Sequence, residues 1–187
     1  MIQAIRSSPG CDHHPRRSRK RPAGFTLIEL VAIIVLVGIM AGVALPSLSN
    51  LAGTRSGAAG KQLLRDLTFA QQRALTTGTV SWVVFNTGAG TWSILAENPA
   101  SPGRAGATVI TDMATGKPFV TTVGVNEYVG VSMTACNFDG ATEVGFNWLG
   151  KPLNSTGAAL AAQGSVTLSA GNRVTVEAVT GCIRYVP

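Results

Sequence analysis

From Phe25 to Leu45 the chain runs through 21 residues, FTLIELVAIIVLVGIMAGVAL, in which the only charge is Glu29. As a helix rising about 1.5 Å per residue, such a run matches the roughly 30 Å hydrocarbon core of a bilayer, so we read it as a membrane helix. Its flanks set its direction. Residues 1–24 carry Arg6, Arg16, Arg17, Arg19, Lys20 and Arg21 against Asp12, which is +5 of the chain's total of +6, and no basic residue appears after the run until Arg55. Positive flanks stay cytoplasmic, which puts the N-terminus in the cytoplasm and makes the C-terminal part extracytoplasmic. The chain after Gly24 is close to neutral.

An ordinary secretory signal places its apolar run ahead of a small-residue cleavage site, whereas here RRSRKRPAG leads directly into the apolar run. That order suggests a cut before the helix, which keeps the helix in the product. A glycine at the cut, Gly24, leaves the backbone bare for a protease. A carboxylate near the bilayer centre costs about 2.5–3.5 kcal/mol, so Glu29 needs a reason, either a partner or a place near the headgroups.

Gly24-Phe25-Thr26-Leu27-Ile28-Glu29 resembles the prepilin processing motif of type IV pilins and type II secretion pseudopilins. The resemblance implies cleavage by a membrane aspartyl prepilin peptidase between Gly24 and Phe25, N-methylation of Phe25, and a Glu29 that neutralises the N-terminal amine of a neighbouring subunit. Glu29 lies four residues from Phe25, one turn of a helix. Gly38 and Gly42 form a G-x-x-x-G pair, which permits close helix packing but is also common composition for membrane helices. Pro46 cannot donate to the carbonyl of Gly42, so a kink is expected at Gly42–Pro46.

Beyond Pro46 the helix is expected to resume, with Leu63, Leu67, Ala70 and Ala74 as a buried stripe and Arg65, Asp66, Gln72 and Arg73 turned away. Gly53, Gly57 and Gly60 weaken residues 50–60, each by about 1 kcal/mol relative to alanine, so fraying is expected there. From Thr79 on, strand-like runs take over at 79–85, 91–95, 128–134, 142–148, 164–170, 173–179 and 182–186, with a Pro/Gly-rich loop at 97–106. Gly88-Ala89-Gly90 reads as a hairpin turn rather than a phosphate cradle. The fold class is α+β: a leader at 1–24, a membrane and assembly helix at 25–46, its amphipathic continuation at 47–78, and an antiparallel β-rich head at 79–187.

This order, with RDLTFAQQRALTTG at 65–78, GFNWLGKP at 145–152 and RVTVEAVTGCIRY at 173–185, resembles the GspH/FimT group of minor pseudopilins and minor pilins. It implies a structural subunit whose partners are other pilins or pseudopilins; the competing readings are a DNA-binding minor pilin for DNA uptake and a plain membrane-anchored periplasmic domain. Some FimT-like minor pilins capture DNA through a basic C-terminal motif. Here that stretch offers Arg184, with Arg173 nearby, and the near-neutral head gives a thin electrostatic footprint for phosphate.

Cys136 and Cys182 are the only cysteines after Gly24, and an oxidising compartment favours a disulfide between them over two buried thiols. It would close a loop of 47 residues, contributing roughly 4 kcal/mol in the chain-entropy picture. Cys11, His13 and His14 fall in the expected leader without a second ligand pair at metal spacing, so no metal and no cofactor are expected. With no histidine after Gly24 there is no Ser-His or Cys-His pair, and the eight carboxylates there show no paired spacing. The sequence supports no enzyme.

Overall fold

The computed structural model describes residues 24–113 and 115–187, with side chains for all of these except 43–50. The chain divides into two units, Met1–Gly42 and Val43–Pro187. Helical backbone, α1, is assigned from Leu27 to Thr77. The expected kink at Gly42–Pro46 falls at the division between the units, with Pro46 among side chains outside the description.

In the second unit α1 presents Ala59, Leu63, Leu67, Ala70 and Ala74, all fully buried, as the periodicity requires. The helix stops at Gly78, whose φ of +68° suits a residue without Cβ and whose N–H closes the last turn on Ala74 O at 3.0 Å. The stretch expected to fray is helical throughout. Gly60 is there for contact: a Cβ on it would lie 2.5 Å from Cε2 of Tyr185.

Among the described residues ten strands come after the helix: β1 (Ser81–Asn86), β2 (Thr91–Ala96), β3 (Thr108–Val109), β4 (Val120–Thr122), β5 (Met133–Asn137), β6 (Glu143–Phe146), β7 (Pro152–Leu153), β8 (Gly164–Leu168), β9 (Arg173–Val176) and β10 (Ile183–Val186). They form two antiparallel sheets. The first runs β3-β2-β1-β6-β7, with β4 sharing the outer edge of β2 with β3; the second runs β10-β9-β8-β5. The expected strand at 128–134 is displaced, because Asn126–Tyr128 forms a short 3-10 turn and pairing begins at Met133. β3, β4 and β7 are additions to the strands that patterning predicts. The 86–91 segment is a hairpin turn, with Asn86 Oδ1 accepting from Ala89 N at 2.9 Å.

Alternation along the strands sends one row of each sheet inward. Val83 faces Ile94 and Val144 across the first sheet, and Val166 faces Val174 across the second. These rows and the helix stripe make one core. Phe85 of the first sheet stacks on Phe138, just past β5 of the second, with ring centres 5.7 Å apart.

Candidate assembly helix and head surfaces

The described residues of the first unit open with non-helical backbone at Gly24, Phe25 and Thr26. Thr26 O accepts from Leu30 N at 3.2 Å, and Glu29 N reaches both Thr26 O at 3.1 Å and Thr26 Oγ1 at 3.3 Å. Thr26 is therefore the N-cap and Glu29 the third helical residue, the spacing of a capping box. Sequence reasoning missed this, although T-x-x-E signals it. It also corrects the one-turn relation assumed for Phe25 and Glu29, since Phe25 precedes the helix. The Glu29 carboxylate is exposed, with no hydrogen bond or ion pair among the described residues. It suits the positive end of the helix dipole and remains free for an outside cation.

Around Glu29 the large apolar side chains from Phe25 to Met40 are 46–82% exposed. A patch of this kind marks a surface meant for lipid or other protein. Added Cβ atoms at Gly38 and Gly42 would meet nothing within 4 Å. Among the described residues no helix is long and apolar enough to cross a membrane; the last three residues of the 21-residue run, 43–45, are not among those with described side chains.

In the second unit, polar ties fix the helix to the sheets. Asp66, expected to face solvent, is only 2% exposed. Its carboxylate accepts from Trp92 Nε1 at 2.7 Å, Gln62 Nε2 at 2.8 Å and Thr121 Oγ1 at 3.2 Å. Burial raises its pKa above the ordinary carboxylate value, against the lowering effect of those three donors and of Arg65. Farther along, Gln71 Nε2 donates to Gly150 O at 2.8 Å and Gly181 O at 3.0 Å, so one amide holds two loops. Ser56 donates to Ser169 O, and Tyr185 to Asn172 Oδ1.

The expected disulfide is not formed: Cys136 and Cys182 are both free. The register explains why. Cys136 lies in β5 and pairs with Val166, on the core-facing row; Cys182 precedes β10, and its carbonyl accepts from Glu177 N at 2.9 Å. Continuing the register from Ile183 and Val176 places Cys182 on the outward row. The cysteines thus sit at opposite edges of a four-stranded sheet and on opposite faces. Three strand spacings amount to roughly 14 Å, against a limit of about 7 Å between Cα atoms for a disulfide. Burial pushes the Cys136 thiol up to about 12.

Arg173 and Arg184 are exposed on that outward face, Arg184 opposite Thr175 and Arg173 two residues along the same row. Cys11, His13 and His14 lie outside the described residues.

Residues 19–45 match the prokaryotic N-terminal methylation motif. Two structures of the minor pseudopilin EpsH from the type II secretion system of Vibrio cholerae resemble the chain at 12% identity. One covers 71% of this chain and 96% of EpsH at a TM-score of 0.50; the other covers 71% and 94% at 0.51. The type IV minor pilin FimU of Pseudomonas aeruginosa is 11% identical over 70% of this chain and 91% of its own, with a TM-score of 0.42. No curated protein matches the sequence. The chain therefore joins an N-terminal methylation motif to a pilin-like α+β fold, the fold of the EpsH structures.

Proposed function

We propose that this chain is a structural minor pilin or pseudopilin subunit of a type IV pilus or type II secretion pseudopilus, assembling through its N-terminal helix. The observation that carries the reading is the Glu29 carboxylate, without a partner among the described residues, set at the start of an exposed apolar helix and joined to a head of this fold. A carboxylate in such surroundings is costly unless a cation meets it. Cleavage between Gly24 and Phe25 creates one, the Phe25 amine of a neighbouring subunit. In this reading prepilin peptidase removes residues 1–24 and Phe25 is N-methylated. The precursor is a single-pass protein of the inner membrane, with the helix at 25–46 in the bilayer and the head at 79–187 in the periplasm. Its partners are other pilin-like subunits, and its role is architectural rather than enzymatic.

Mass spectrometry of the protein extracted from its native envelope tests this. The expected mature species begins at methylated Phe25. Intact residues 1–24 in membranes that hold the peptidase would overturn the assignment.

A further inference from the structure

The Gly24–Phe25 bond lies in exposed, non-helical backbone, and the helix begins only at Leu27. One side chain sets that boundary. Thr26 Oγ1 accepts the Glu29 N–H at 3.3 Å, and this bond is available only while Thr26 itself stays outside the helix. A peptidase needs the scissile carbonyl and its flanking N–H groups unengaged. Were the helix to extend back through Gly24, the carbonyl of Gly24 would instead be tied to the N–H of Ile28. Between Ser18 and Thr26 the sequence holds no serine, threonine, asparagine or aspartate, so Pro22 and Ala23 offer no second capping side chain. We infer that Thr26 is a positioning residue for precursor cleavage: its hydroxyl halts the helix before Leu27 and keeps the Gly24–Phe25 bond open to the peptidase. Thr26 does not touch the reacting atoms. The inference rests on the processing proposed above.

The test tracks cleavage of the full-length precursor in membranes containing its prepilin peptidase. Thr26→Val keeps the shape and loses the hydroxyl; Thr26→Ser and Thr26→Asn keep a capping oxygen. Thr26→Val should be cleaved more slowly, by up to roughly fivefold, the most that losing the ordinary worth of a cap can remove from the open fraction. The defect should appear as a raised KM with kcat retained, because only the fraction of substrate in the open form falls. Ser and Asn should restore the wild-type rate. Wild-type cleavage of Thr26→Val, or a Thr26→Ser precursor as slow as Thr26→Val, would overturn the inference while leaving the processing reading intact. A wild-type precursor that is never cut would overturn both.

Discussion

Asp66 shows how a single buried charge ties a helix to a sheet. All three of its partners donate, so the site is shaped for an acceptor, yet burial penalises the charged form and raises the pKa. The folded state therefore holds its proton to higher pH than the unfolded chain does. This group's contribution to stability is accordingly most favourable below the ordinary carboxylate pKa and declines as pH rises from there through the raised folded value. Asp66→Asn keeps a carbonyl acceptor for Trp92 and removes the titration. In thermal melts, the stability of Asp66→Asn relative to wild type should be greatest at neutral pH and fall as the buffer is acidified; a difference that does not change with pH would refute it. Asp66→Ala should cost about 2 kcal/mol in acidic buffer, where the wild-type carboxyl is protonated, because it orphans the indole N–H of Trp92. The glycines of α1 make a second contrast. A methyl added at Gly53 would meet nothing within 4 Å, so Gly53→Ala should stabilise by about 1 kcal/mol through helix propensity alone. At Gly60 the same methyl meets the Tyr185 ring at 2.5 Å, and that ring is held through its hydroxyl by Asn172. Gly60→Ala should destabilise by about 1–2 kcal/mol, overpacking outweighing propensity. Denaturant melts of the two variants side by side decide it.

The second sheet keeps its two cysteines apart, and their chemistry should differ accordingly. A water-soluble maleimide should label Cys182 in the folded protein and leave Cys136 untouched, since burial pushes the Cys136 thiol up to about 12 and leaves little thiolate at neutral pH. Both should react after denaturation without reductant. Two unreactive cysteines under those conditions would mean that the strands had been joined after all. The expectation of a disulfide failed because compartment and cysteine count carry no information about strand order, which is settled by long-range pairing. The same limit hid β3, β4 and β7: two or three residues are too few to show alternation. Leu63, Leu67, Ala70 and Ala74 were legible because one apolar face recurs over three turns. Asp66 was not, because a polar residue beside that stripe looks solvent-facing until the donors of Trp92 and Thr121 arrive from strands 26 and 55 residues away. The Thr26 cap was present in plain sequence as T-x-x-E, overshadowed there by the charge of Glu29.

At the scale of the whole molecule, folding and assembly rest on different residues. The head has its own core, to which Leu63 and Leu67 contribute fully buried side chains, whereas the Glu29 carboxylate lies in the other unit with no hydrogen bond or ion pair among the described residues. No described contact of the head depends on that carboxylate. Glu29→Ala should therefore leave head stability unchanged within about 0.5 kcal/mol, the ordinary range for substitutions away from packed or bonded groups. It should also leave insertion intact, since removing a carboxylate lowers the cost of burying the helix in lipid. The substitution removes the attraction that a neighbour's Phe25 amine would feel, and with it the preference for one register between adjacent helices. Subunit abundance, cleavage at Phe25 and recovery in sheared filaments or crosslinked pilin complexes, compared for wild type and Glu29→Ala, separate these effects. Abundance and cleavage should hold while incorporation falls. Incorporation at the wild-type level would place Glu29 as a polar residue tolerated near the headgroups and remove it from assembly, while a parallel loss of abundance would move its role to folding or insertion.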